Sequence, residues 1–425
     1  MDPTEKGWLL KYLELRSQTE IFPWTKEIEF YNYLKNTGLM YGHPLNLPSE
    51  IKIDSSKFPV KERMKVIFTE SLVSSVFTFI DKHSMPETDM EKVEKLIAEF
   101  YNLNTEKSKS YELGELLKFN SKTTKSAEKW LNNRISIKSR WNLQFWNVFF
   151  YNVLLYADTL QFIDWLKNSE SVTYSFAEEK RKLRLTALQI IAAASNCNQV
   201  MDKEEERFYR FFLESSELEK TDLATAEKYL HSVKAVEQIE ISSDASWLKR
   251  KYFLDLAILS LWADKTIAEA EMKFLKNLCL TLKLDEDELN GSLVAIESFV
   301  LQNWEKIHFL QSKQPYYVLS QRLVERLSSI SLKYKNQLAN EISESKDLVE
   351  LLSKSTHSDL SIEEKERMRL QLTDILKSLP AVAYMCLPFT FFTLPVLFKI
   401  IPKSVFPSSF DENRLMHRKN RKIVE

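Results

Sequence analysis

The stretch LPAVAYMCLPFTFFTLPVLFKII, residues 379–401, sits in a run from Ser378 to Phe398 that has no charged side chain. A membrane-crossing helix needs about 20 mostly apolar residues, and the run is long enough. Pro380, Pro388, Pro395 and Pro402 punctuate it. Inside a water-soluble helix each proline removes a backbone donor and clashes with the turn before it. In a membrane helix, neighbours and irregular turns re-satisfy the freed carbonyls. The expectation is therefore one C-terminal, Pro-kinked membrane helix over 378–402; a Pro-broken core segment is the alternative. Working outward, Ser361 and Glu364 form the S-x-x-E capping pattern that opens a helix, and Met368, Leu372, Ile375, Leu376 and Leu379 line one apolar face leading into the run. On the other side, RLMHRKNRK carries Arg414, Arg418, Lys419, Arg421 and Lys422 and no acid. Such a tail suits an anionic lipid surface.

The order Asp374, LKSLP, LPFTFF, LPVLFK, IIP and FPSSF resembles the membrane segment of the LETM family. These are leucine zipper, EF-hand-containing transmembrane proteins of the mitochondrial inner membrane, with bacterial relatives. The pattern is similar at Asp374, Pro380, Pro388, Phe389, Phe392, Pro395, Lys399, Pro402, Pro407, Ser408 and Phe410. The resemblance implies a single membrane helix and a cation/proton exchange role for the mitochondrial members. Asp374, a lone acid about one turn before the run, is an ion-handle candidate by its position at the membrane edge, with a helix-surface acid at the lipid boundary as the alternative. In the family a large domain resembling ribosome-binding modules follows the membrane helix. Here only 403–425 follow Pro402, so ribosome docking ranks below anchoring.

The whole chain, 425 residues, has room for two or three domains. Its 59 Lys and Arg balance 60 Asp and Glu, so global charge points to no direct nucleic-acid partner. Cys197, Cys279 and Cys386 are too scattered for a disulfide framework or a metal knuckle. Five glycines in all, and no proline between Pro86 and Pro315, exclude a strand-rich or Rossmann fold and any glycine-rich phosphate loop. The fold class is all-α and multi-domain. The opening stretch MDPTEKGWLLKYLELRSQTE holds the acids Asp2, Glu5, Glu14 and Glu20 and no apolar core of signal-peptide length. This places the N-terminal helical domains in the cytoplasm and the membrane segment, on the bacterial pattern, in the inner membrane.

Residues 1–168 read as an aromatic-rich helical domain. Its most apolar part, WNLQFWNVFFYNVLLYA (Trp141–Ala157), carries too many amides to cross a bilayer cheaply and reads as a buried core helix. Residues 178–300 repeat with an offset of 66, in copies 178–235 and 246–300. Leu188 pairs with Leu254, Asn198 with Asp264, Met201 with Ile267, Glu205 with Glu271, Phe208 with Phe274 and Leu218 with Leu284. Repetition of this kind implies duplicated helical hairpins. The copies resemble the TerB-like family of small helical domains, through Ala263-Asp264, Ile267 and Glu271 in the second and Met201 and Glu205 in the first. Carboxylates in such a turn suit a divalent cation, making Asp264, Glu271 and Glu205 the metal candidates. Ordinary first-turn acids are the alternative, and no cofactor is implied. Residues 311–377 read as a helical connector ending in the pre-membrane helix, and 378–425 as the membrane segment with its basic tail.

No His-x-x-x-His pair, G-x-S-x-G or P-loop occurs, and no enzyme is expected. What remains is a membrane-anchored helical scaffold with membrane lipid and an unidentified protein as partners, in cell-envelope or biofilm physiology. The alternatives are cation/proton exchange by a homo-oligomer and LETM-like ribosome binding.

Overall fold

The structure is a computed structural model that describes residues 1–410 apart from 20–23, 25, 42–46, 48–50, 81–89, 104–123, 136–145, 169–174, 198–202, 217, 231–237, 263–268, 306–314, 383–384, 386–390 and 408–409. The described residues form seventeen α-helices and no strand. The all-helical expectation holds. Two compact units divide the chain, Met1–Lys283 and Leu284–Glu425.

The first unit contains α1 (Trp8–Ser17), α2 (Glu27–Asn36), α3 (Val60–Phe79), α4 (Met90–Leu103), α5 (Thr124–Arg134), α6 (Trp146–Asn168), α7 (Phe176–Ser195), α8 (Lys203–Ser215), α9 (Lys220–Tyr229), α10 (Trp247–Trp262) and α11 (Glu269–Thr281). Helix α3 is buried on every side from Met64 to Val76, polar residues included. A helix buried all round must satisfy its polar groups inside the protein, and between Met64 and Val76 the side chains do so. Glu70 accepts from Tyr12 Oη at 2.5 Å, Tyr33 Oη at 2.7 Å, Ser74 Oγ at 2.5 Å and Arg16 Nε at 3.1 Å. Burial, then the Glu70 charge, pushes both tyrosine hydroxyls well above their ordinary range, so they remain donors. Asp158 on α6 joins a second pair of helices, receiving Arg134 Nη2 at 3.0 Å from α5 and Arg184 Nη2 at 2.5 Å from α7. Tyr31 of α2 donates to Asp255 of α10 at 2.6 Å. Polar side chains, rather than turns, thus tie distant helices of this unit together.

The expected core helix is found as α6, beginning at Trp146; residues 141–145 lie outside the described residues. From Leu155 to Leu166 its residues are buried save Asp164, which is half-buried.

The offset of 66 reappears in the element boundaries. Helix α8 spans 203–215 and α11 spans 269–281, each bound displaced by 66. The following helices start at Lys220 and Glu286, again 66 apart, so the correspondence extends to a third helix. Burial follows it: Leu188 and Leu254 are fully buried, as are Tyr209 and Leu275, and Phe212 and Leu278. The third helix of the second copy begins the second unit.

That unit comprises α12 (Glu286–Gln302), α13 (Tyr316–Lys333), α14 (Lys335–Glu344), α15 (Lys346–His357), α16 (Ile362–Lys377) and α17 (Leu394–Ile400). Helix α12 opens with a capping box, Asp285 Oδ1 accepting from Glu288 N at 2.8 Å and Glu288 Oε2 from Asp285 N at 3.1 Å. It packs on α13, where Arg326 grips Glu297 with two bonds of 3.0 and 2.9 Å. Helices α13 to α16 follow as short neighbours in sequence, each with an apolar stripe at helical spacing: Leu319, Leu323, Leu327 and Ile330 on α13, for example.

One expectation, the C-terminal membrane helix, is not confirmed. Among the described residues, 378–402 is not a single Pro-kinked helix: α16 stops at Lys377 and α17 is seven residues long. No described helix is long and apolar enough to cross a membrane. The prolines explain the difference, because each described one falls where a helix ends or begins rather than within one. Pro380 follows the end of α16, Pro395 occupies the first turn of α17, where no backbone donor is needed, and Pro402 precedes a 3-10 turn at 403–405.

Candidate interaction surface on the C-terminal unit

The segment from Leu360 onward is assembled from local signals. Ser361 caps α16, accepting from Glu364 N at 3.1 Å, while Glu364 Oε2 accepts from Ser361 N at 2.8 Å. Met368, Leu372, Ile375 and Leu376 turn inward, as the sequence pattern predicts. Outside this face, α15 and the residue that precedes it clamp the helix by polar bonds: Lys354 to Glu364 at 2.6 Å, and Ser345 to Gln371 at 3.0 Å. The chain then buries Leu379, Ala381 and Val382, and later Phe392. Helix α17 packs on α13 and α16, burying Leu397, Phe398 and Ile400. The 3-10 turn packs on α14. Phe398, Phe406 and Phe410 form an aromatic cluster with ring centres 5.7, 5.2 and 4.8 Å apart.

This arrangement sorts the predicted residues. Phe392 is core, and Phe410 is part of the aromatic cluster. Pro380, Pro395, Lys399 and Pro407 are exposed and Pro402 half-buried. Asp374 is exposed in the last turn of α16, and its carbonyl accepts from Ser378 N at 3.1 Å, ending the helix. Pro388, Phe389, Ser408 and the tail residues Arg414, Arg418, Lys419, Arg421 and Lys422 lie outside the described residues. So does Asp264, one of the three metal candidates. The other two, Glu205 and Glu271, are buried and stand third in α8 and α11. Among the described residues no group of three potential ligands is placed to hold a metal ion.

Two residues that sequence reasoning did not single out belong to the same segment. Lys403 is exposed on the 3-10 turn, and Lys377 is half-buried at the end of α16, where burial lowers its pKa against a smaller opposing effect of Asp374. Their signal was an absence: no acid occurs between Asp374 and Asp411. Residues 360–425 hold 11 Lys and Arg against 7 Asp and Glu, a net +4, leaving 48 against 53, or −5, for residues 1–359. The near-neutral total conceals a basic C-terminal segment.

In a comparison with family models, residues 360–425 match the family described as "LETM1-like, RBD". No curated protein and no solved structure matches the chain. The match covers the part whose proline and phenylalanine order is similar to the LETM family, and not the copies that resemble TerB-like domains. It supports a relationship of residues 360–425, the basic segment built around α16 and α17, to the LETM family.

Proposed function

We propose that the protein is a helical interaction scaffold whose C-terminal unit docks on the ribosome through residues 360–425. The observation that carries this is the coincidence of the LETM1-like, RBD match with a segment of net positive charge whose described part folds as α16 and α17. Ribosomes present phosphate-rich surfaces, and lysines that neutralise phosphates release counter-ions, which makes such binding fall with salt. Lys399 and Lys403 are exposed on the described part of that segment. Co-sedimentation of the full chain with purified ribosomes over a salt series tests the proposal. Binding is expected at low salt, and Lys399→Glu with Lys403→Glu should reduce it about tenfold and flatten the log–log salt slope by about two. No binding at low salt, or binding indifferent to both charges, refutes it.

Membrane anchoring is a second reading, favoured by the uncharged run Ser378–Phe398. It requires α17 to leave its packing against α13 and α16. Flotation of the full chain with anionic phospholipid vesicles, resistant to high salt, would support it; a chain that stays at the bottom of the gradient would end it.

A further inference from the structure

Helix α1 begins at a trans cap. Gly7 N and Leu9 N donate to the two carboxylate oxygens of Glu128 on α5, at 2.9 and 3.4 Å. A carboxylate at that position suits the positive end of the helix. Gly7 has φ +85°, a conformation side chains resist, so glycine sets the amides toward Glu128.

Helix α4 packs on both α1 and α5 and carries Glu94. Glu94 is only 4% exposed, and its Oε1 is buried with no hydrogen-bond partner among the described residues. A buried carboxyl with an unmet oxygen is held neutral more readily than charged. Burial first, then the negative charges of Glu128 and Glu91, raises its pKa to about 7, with Lys95 opposing. Glu91 and Lys95 lie on α4 itself and pair with each other at 2.8 Å. The described charged groups on the other packed helices that bear on this site are engaged elsewhere or exposed. On α3, Glu70 holds Tyr12 and Arg16, and Lys65 holds Asn132 at 3.0 Å and Glu62 at 2.5 Å. On α1, Lys11 pairs with Glu5 at 2.9 Å. On α5, Lys129 is exposed and Arg134 is bound to Asp158. Among the described charges on the packed helices, Glu128 is the one whose field acts most on Glu94.

We propose that Glu94 is a proton-operated latch on α1. Neutral, it leaves Glu128 to hold the start of α1. Ionised, it adds a second negative charge whose field reaches Glu128 and loosens α1, turning Trp8, Leu9, Tyr12 and Leu13 outward and withdrawing Tyr12 and Arg16 from Glu70. The folded carboxyl titrates above its unfolded value of 4.5. The docking contributed by the neutral form is accordingly full below that value and is lost as pH rises toward about 7.

Hydrogen exchange on the full chain, corrected for intrinsic chemistry, tests the latch, with residues 316–333 of the other unit as internal reference. Between pH 5 and pH 8 the opening constant of α1 should rise roughly 70-fold relative to that reference. Glu94→Gln, which copies the neutral shape at every pH, should hold the pH 5 value throughout. Glu128→Gln should move the onset of opening to a different pH by removing its charge. A native α1 whose protection ignores pH, or the same rise in Glu94→Gln, overturns the proposal. So does a Glu94→Gln chain that fails to fold at pH 8, since the neutral form is the docked one.

Discussion

Replacing Glu70 with glutamine keeps the volume and removes one charge from a fully buried polar site in the first unit. Glu70 is fully buried, and four side-chain donors converge on it. A glutamine has one oxygen to offer where the carboxylate has two, and its amide nitrogen faces donors. Arg16, 5% exposed, is left as a buried cation without its anion. A hydrogen bond to an ion contributes about 1.5–3 kcal/mol, and breaking a buried pair by removing one partner costs about 3–5 kcal/mol. These terms overlap, so they do not add; about 4 kcal/mol is expected. Eight of the nine tryptophans, all but Trp304, lie in Met1–Lys283, so intrinsic fluorescence in urea follows that unit. With a slope of about 3 kcal/mol per molar, the midpoint should fall by about 1.3 M. The cycle with Arg16→Met isolates the ion pair, and a coupling of about 2 kcal/mol is expected for groups in direct contact. A midpoint shift below about 0.2 M for Glu70→Gln would refute the reasoning, because the network would then bear no part of the packing of α1 and α2 on α3.

Other outcomes follow from the same geometry. Phe398→Ala should cost about 3–4 kcal/mol by emptying the aromatic cluster, seen as faster exchange in α13 than in any helix of the first unit. Leu188→Ala and Leu254→Ala, equivalent positions in the repeat and both fully buried, should each cost about 2–5 kcal/mol in the urea assay. The two values should agree within about 1 kcal/mol if the copies pack alike. A salt slope flatter by about two in Lys399→Glu with Lys403→Glu, and the pH-independent protection of α1 in Glu94→Gln, complete the set.

Much of this fold was legible. Scarcity of glycine and proline between residues 86 and 315 excluded sheets, and self-similarity at a fixed offset marked matching elements before any helix bound was known. The apolar face of α16 and its Ser361–Glu364 cap were readable because both signals are local. The buried networks were not. Glu70 sits in an ordinary-looking KERMKVIFTES stretch, and nothing within a few residues announces that Tyr12, Arg16 and Tyr33 will arrive around it. Glu94 and Glu128 are hidden for the same reason: each is an unremarkable helix acid until tertiary packing closes over one and aims the other at Gly7. The basic segment was visible in part, through the tail, but a whole-chain charge near zero masked the acid-free interval that adds Lys377 and Lys403 to it.

The prolines of the C-terminal run show where the two readings of one stretch separate. The uncharged run from Ser378 to Phe398 satisfies the length criterion for crossing a bilayer, but length counts only if the residues share one helix. A proline is harmless in the first turn and costly in the interior. Pro395 stands at a first turn, and Pro380 and Pro402 stand outside helices, so each relieves strain that a continuous helix would have to absorb. The apolar side chains between them then need other cover, and α13, with Leu319, Leu323, Leu327 and Ile330 facing inward, lies against α17. The same composition that suits lipid therefore suits a helical core once the chain is broken at its prolines. What that packing leaves outside includes the charges Asp374, Lys399 and Lys403, and the two lysines are the ones on which the proposed docking depends.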